Sequence, residues 1–119
     1  MAIEKILWGD DDEGILKSVA YALKPEYNIE KALTPEEVIE KAEKKQYKIV
    51  ITDLNYTSGG QEGFSIIKAI KDNAKYVILC TGDADKKEVQ QEAKEVGAYG
   101  ILKKPFSIPD LKDYLKNLK

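Results

Sequence analysis

Apolar runs and amphipathic stretches alternate along the whole chain. Ile6-Leu7-Trp8 predicts a short buried strand that stops at Gly9 and an acidic cluster. From Gly14 to Leu23, the apolar residues Ile15, Val19, Ala22 and Leu23 recur at helical spacing, and Pro25 stops the pattern. Tyr27 to Ala32 alternates as a strand does. Thr34-Pro35-Glu36-Glu37 predicts a helix start, with a capping hydroxyl, proline at the first helical position and glutamate at the third. Val38, Ile39 and Ala42 of that helix then face inward. Lys48 to Asp53 is a second buried strand ending in an acid, and Asn55 to Gly63 is a loop rich in Gly, Ser, Thr and Asn. Phe64, Ile67 and Ile70 mark the next helix. Tyr76 to Thr81 is apolar without alternation, as a strand covered on both faces requires. Ala84 to Val96 predicts a helix with Val89, Ala93 and Val96 on one face and Gly97 as its stop. Tyr99 to Lys103 closes the strand series. Ser107 caps a last helix on which Ile108, Leu111, Leu115 and Leu118 align.

Strands that alternate with helices in this way imply an α/β fold, a parallel sheet with helices on both faces. No linker, low-complexity segment or internal repeat interrupts the pattern, so one domain over residues 1–119 is expected. Hydrophobic residues make up 43% of the chain, enough for a core without disulfides. No run is long enough to span a bilayer, and the first residues lack the layout of a secretion signal. Cys80 is the single cysteine and lies inside an apolar run. These features favour a reduced, cytoplasmic compartment. A formal charge of −2 speaks against a basic nucleic-acid-binding face. All basic residues are lysine, so a histidine general base, a histidine-ligated metal and an arginine clamp are excluded.

Chemistry in an open α/β sheet belongs at the carboxyl ends of the strands. The first predicted strand ends at Asp10-Asp11-Asp12-Glu13, the third at Asp53, the fourth at Thr81 and the fifth at Lys103-Lys104-Pro105. Asp10, Asp11 and Asp53 would bring about three negative charges to one rim, where they raise each other's pKa or destabilise the fold. A hard divalent cation such as Mg²⁺, with its preference for carboxylate and carbonyl oxygen, resolves the conflict. Lys104 can pair with the remaining charge or with an incoming phosphoryl oxygen, and Thr81 can donate a hydrogen bond to that oxygen. The set suits attack by a carboxylate on phosphorus. Each piece alone has a plainer role: Asp12 as a helix cap, Asp53 as a strand-end acid, Thr81 in a turn, Lys104 as a solvated charge. Their order, each after a strand, is what points to a site.

The segments Ile6 to Glu13, Ile49 to Asn55, Val77 to Gly82 and Gly97 to Phe106 together resemble the response-regulator receiver domain of two-component signalling, over the whole chain. The resemblance implies a flavodoxin-like sheet of five strands in the order 2-1-3-4-5. It also implies that Asp53 accepts a phosphoryl group from a sensor histidine kinase, a phosphotransfer protein or a small phosphodonor. Asp11 and Asp53 would ligate Mg²⁺ by side chain, Asp10 directly or through water, and Asn55 through its backbone carbonyl. Thr81 and Lys104 would bind the phosphoryl oxygens, and the Lys104–Pro105 bond would be cis. The domain would then be a switch rather than an enzyme, changing its affinity for a downstream effector and in some members forming a phosphorylation-dependent homodimer. No direct nucleic-acid or membrane partner is implied.

Three departures from the family pattern stand out. The loop Tyr56-Thr57-Ser58-Gly59-Gly60-Gln61-Glu62-Gly63 is longer than usual and lacks the customary Met-Pro, which predicts a more mobile segment. Ile101 occupies the position of the usual aromatic switch residue, and Tyr99 lies one strand period away on the same predicted face. Trp8-Gly9 replaces two branched apolar residues. Two other functions are compatible with parts of the pattern. A small aspartyl-phosphate phosphatase would need an acid where Asn55 stands, and a pseudo-receiver scaffold would have no use for the retained acids, Thr81 and Lys104.

Overall fold

The computed structural model describes residues 4–118. Its strands are β1 (Glu4–Gly9), β2 (Tyr27–Ala32), β3 (Tyr47–Asp53), β4 (Ala74–Thr81) and β5 (Gly100–Lys103). The helices between and after them are α1 (Glu13–Ala22), α2 (Pro35–Lys44), α3 (Glu62–Ile70), α4 (Lys87–Val96) and α5 (Ile108–Lys116). The strands pair in parallel in the order β2-β1-β3-β4-β5, as expected.

Side-chain alternation divides the core between the two faces of the sheet. Leu7, Val50, Val77, Leu79 and Ile101 point to the face covered by α2, α3 and α4. Ile6, Trp8, Ile49, Ile51, Tyr76, Ile78, Cys80 and Leu102 point to the face covered by α1 and α5. Both faces are apolar, which is why the central strands show no alternation in sequence.

Local chemistry sets the helix ends. The Asp12 carboxylate accepts from Ile15 N, the Thr34 hydroxyl from Glu37 N and the Ser107 hydroxyl from Asp110 N. Glu37 also reaches back to accept from Leu33 N at 2.7 Å, closing the start of α2. Gly97 ends α4 at φ 98°, a left-handed conformation that costs glycine little. Some boundaries differ from expectation. β1 and β4 extend beyond their apolar cores because flanking residues such as Glu4 and Ala74 still pair in the ladder. α4 starts at Lys87 rather than Ala84, because the preceding residues form a turn closed by Lys86 N donating to Asp83 O.

α3 starts at Glu62, before Phe64, and its first turn lies directly on the end of β3. Gly63 N donates to Leu54 O at 2.7 Å, and a Cβ at Gly63 would stand 2.4 Å from Asp53 O and 2.7 Å from Leu54 Cα. Both obstacles are backbone, so relief requires the helix to move off the strand. Gly63→Ala is therefore expected to destabilise the fold by about 1–3 kcal/mol, the usual cost of overpacking. Urea unfolding of the variant against the parent checks this.

Candidate functional site

The carboxyl ends of β1, β3, β4 and β5 share one rim, and the structure brings the predicted polar residues together there. Asp10 follows β1 and is only 1% exposed. Its Oδ1 accepts from Asp12 N at 2.9 Å, and its Oδ2 accepts from Lys104 Nζ at 2.8 Å. Asp53 is the last residue of β3 and is 9% exposed. Its Oδ1 accepts from Leu54 N at 2.9 Å and lies 3.2 Å from Lys104 Nζ. Lys104 follows β5, is anchored by its own N–H donating to Thr81 O, and precedes a cis Lys104–Pro105 peptide, as the resemblance implied. Asp11 is exposed, and each of Asp10, Asp11 and Asp53 offers an oxygen within 4.8 Å of the others.

Burial raises the Asp53 pKa above its ordinary value; the Lys104 cation opposes this, and the neighbouring Asp10 charge adds to it. For Lys104, burial works downward, but the Asp10 hydrogen bond and the charges of Asp10 and Asp53 outweigh it, so its pKa is raised. The ammonium therefore remains charged. Three carboxylates against one ammonium leave two negative charges uncompensated, on a donor set made only of oxygen. Such a set fits a small, hard divalent cation.

The other expected residues line the same rim. The Thr81 hydroxyl oxygen accepts from Asp83 N at 3.0 Å, which leaves its single hydrogen available for donation. Asn55 is half-buried, and its side-chain oxygen accepts from Gln61 N at 2.8 Å. Beside the acids, a cavity of about 850 Å³ opens between α1 and the segment after β5, lined by Ile15, Gly82, Lys104 and Phe106 among others.

Three features were not foreseen. The loop after Asp53 is tied rather than loose. Glu62 accepts from Tyr56 N, from Thr57 N and from the Thr57 hydroxyl, and Gly60 N donates to Thr57 O. Tyr56 turns inward, 8% exposed, with its hydroxyl 2.7 Å from Thr52 Oγ1. Gly9 makes room for it: a Cβ there would stand 2.2 Å from the Tyr56 hydroxyl oxygen and 2.4 Å from Val38 Cγ2. Two departures that look unrelated in sequence, Gly9 and the Tyr56 loop, are thus one packing arrangement. Tyr99 also differs from expectation. It sits at a bend before β5, where the period of two no longer holds, and its ring packs edge-on against Tyr76 at 4.7 Å on the opposite face from Ile101.

Comparison with known proteins agrees with this geometry. The family model described as "Response regulator receiver domain" matches residues 6–116. This chain belongs to the response regulator receiver domain family. It is 30% identical over 121 residues to sporulation initiation phosphotransferase F of Bacillus subtilis (strain 168), a match covering 98% of the chain and 94% of that relative. Among solved structures, it resembles chemotaxis protein CheY4 of Vibrio cholerae with a TM-score of 0.86 at 30% identity, over 99% of this chain and 100% of that one. It also resembles the beryllofluoride-activated NtrC4 receiver domain dimer, with a TM-score of 0.80 at 29% identity over 94% and 93% of the two chains.

As a receiver domain of two-component signalling, the chain carries its acids where the fold focuses them. Because the Asp53 pKa is raised, the folded receiver holds this proton more tightly than the unfolded chain does. In metal-free protein, Asp53 therefore subtracts stability as pH rises through the carboxylate range. Asp53→Asn is expected to melt at a higher temperature than the parent at neutral pH in chelator, with the gap closing as pH falls through the raised folded pKa and gone below the unfolded value of 3.8. Thermal melts across pH in the presence of chelator check the sign.

Proposed function

We propose that Asp53 accepts a phosphoryl group from a phosphohistidine on a kinase or phosphotransfer protein, or from a small acyl phosphate. The observation that carries this reading is the Lys104 ammonium bridging Asp10 and Asp53 beside a third carboxylate, Asp11. Both hydrogen bonds described at the Asp53 carboxylate fall on Oδ1, so Oδ2 is the oxygen we assign to the attack. The new bond is Oδ2–P. The bond that breaks is P–N in a phosphohistidine donor or P–O in an acyl phosphate, and the leaving group keeps the electron pair. Asp10, Asp11 and Asp53 side chains and the Asn55 carbonyl are the groups that would hold Mg²⁺. When bound, the ion offsets the charge gathered on the carboxylates and phosphoryl oxygens. Lys104 can turn from the Asp53 carboxylate to a phosphoryl oxygen, and the free Thr81 hydrogen can be donated to another.

Phosphorylation would then shift the receiver between two states of different affinity for an effector, with the face formed by α4, β5 and α5 as the reporting surface. Half-buried Ile101 on β5 offers a smaller aliphatic side chain in place of the aromatic rotation, so this output would run through backbone and packing shifts. We read residues 1–119 as one receiver unit acting in a reducing, cytoplasmic setting. The burial that pushes the Cys80 thiol up to about 12 leaves it inert there. The phosphatase alternative lacks its acid, because the carboxamide of Asn55 stands where a carboxylic acid is needed.

Incubation of the parent with acetyl phosphate and Mg²⁺ is expected to add one phosphoryl mass, and Asp53→Asn is expected to add none. Lys104→Ala should slow the transfer by about 10²-fold or more, through loss of charge stabilisation. Intact mass spectrometry over time checks all three. Unmodified parent protein at saturating donor would overturn the reading.

A further inference from the structure

Asn55 would contribute its backbone carbonyl; its side-chain oxygen accepts from Gln61 N at 2.8 Å, and the direction of the carbonyl is tied to the next peptide N–H. A peptide unit is planar and trans, so the C=O of one residue points opposite to the N–H of the next. The partner of the Asn55 carbonyl is the Tyr56 N–H, which donates to Glu62 Oε1 at 2.9 Å. Whatever fixes that N–H fixes the direction of the carbonyl. Glu62 sits in the first turn of α3, which is pinned to β3 by Gly63 N donating to Leu54 O. The same carboxylate also takes the Thr57 N–H and hydroxyl, so it cannot swing without breaking several bonds at once.

The Tyr56 ring holds the other end of the unit. Thr52 Oγ1 lies 3.0 Å from Asp53 O, which takes its single hydrogen, so the Tyr56 hydroxyl is the donor in the 2.7 Å contact with Thr52. Tyr56 thereby anchors to the strand immediately before the acceptor, in the space that Gly9 leaves open. The Asn55–Tyr56 peptide is thus clamped by its N–H on one side and by the following side chain on the other.

We infer that Glu62 and Tyr56 are positioning residues that aim the Asn55 carbonyl and hold the loop around the metal-binding rim. This rests on the phosphoryl-acceptor reading of Asp53. Neither residue touches the reacting atoms. Their effect would pass through the Asn55–Tyr56 peptide and the backbone at Asp53.

The test uses the full chain and Mg²⁺ alone as the probe. Trp8 is the single tryptophan, buried two residues before Asp10, and reports binding by fluorescence. Glu62→Ala removes all three hydrogen bonds to the carboxylate and is expected to weaken Mg²⁺ binding about tenfold or more, as loss of an outer support does at other metal sites. Glu62→Gln retains one acceptor oxygen and should recover part of the loss. Tyr56→Phe, which keeps the ring and removes only the donor, should weaken binding by a smaller factor. Urea midpoints are measured on the same samples. A lowered midpoint with parental Mg²⁺ affinity in Glu62→Ala and Tyr56→Phe would reduce both residues to structural roles and overturn the inference. Failure of the parent itself to bind Mg²⁺ or take up phosphoryl would instead overturn the acceptor reading, so the two failures are distinguishable.

Discussion

The Lys104 ammonium lies 2.8 Å from Asp10 Oδ2 and 3.2 Å from Asp53 Oδ1, so that a residue after β5 meets the ends of β3 and β1. Two buried carboxylates this close repel each other strongly at low effective dielectric, and one cation shared between them is what lets both remain near each other. Keeping that contact constrains much of the structure. The parallel order puts all four strand ends on one rim. The Lys104 N–H bonded to Thr81 O fixes the base of the lysine. The shared lysine still leaves the rim short of positive charge once Asp11 is counted, and that deficit favours a cation there.

Features that depend on near neighbours in the chain were legible in sequence. Asp12, Thr34 and Ser107 act as caps because each needs only an N–H two or three residues ahead, and Gly97 acts as a stop for a similarly local reason. Asp10, Asp53, Thr81 and Lys104 were legible because a strand end is a recognisable place and parallel topology sends strand ends to one edge. Gly9, Thr52 and Tyr56 were not, since their relation is a three-dimensional packing of one ring over one missing Cβ, separated by forty-odd residues of chain. The loop from Tyr56 to Gly63 reads as loose because glycine and serine dominate it, yet a single carboxylate, Glu62, collects its donors. Tyr99 was misplaced because alternation was extended one residue past the start of β5, into a bend.

The same packing bears on how a receiver of this composition transmits its state. Ile101 is half-buried against the core on the face that α4 covers, and the Tyr99 ring packs against Tyr76 on the other face, so no aromatic residue of β5 stands where Ile101 does. The chain joins the rim to α4 through the turn after Thr81. There Asp83 N donates to the Thr81 hydroxyl oxygen, and Lys103 forms an ion pair with Asp85. A Thr81 hydroxyl drawn toward a phosphoryl oxygen would tug on that turn directly. The exposed Lys103–Asp85 pair is worth little energetically and is easily exchanged, which suits a segment that must move.

We propose that this rim, with three carboxylates around one ammonium, takes one divalent cation. Isothermal titration of Mg²⁺ into chelator-treated protein tests it most directly. Saturation at one ion per chain is expected, with loss of that binding when Asp10 and Asp11 are both changed to Asn. Absence of binding by the parent, or unchanged binding by the doubly substituted protein, would contradict it.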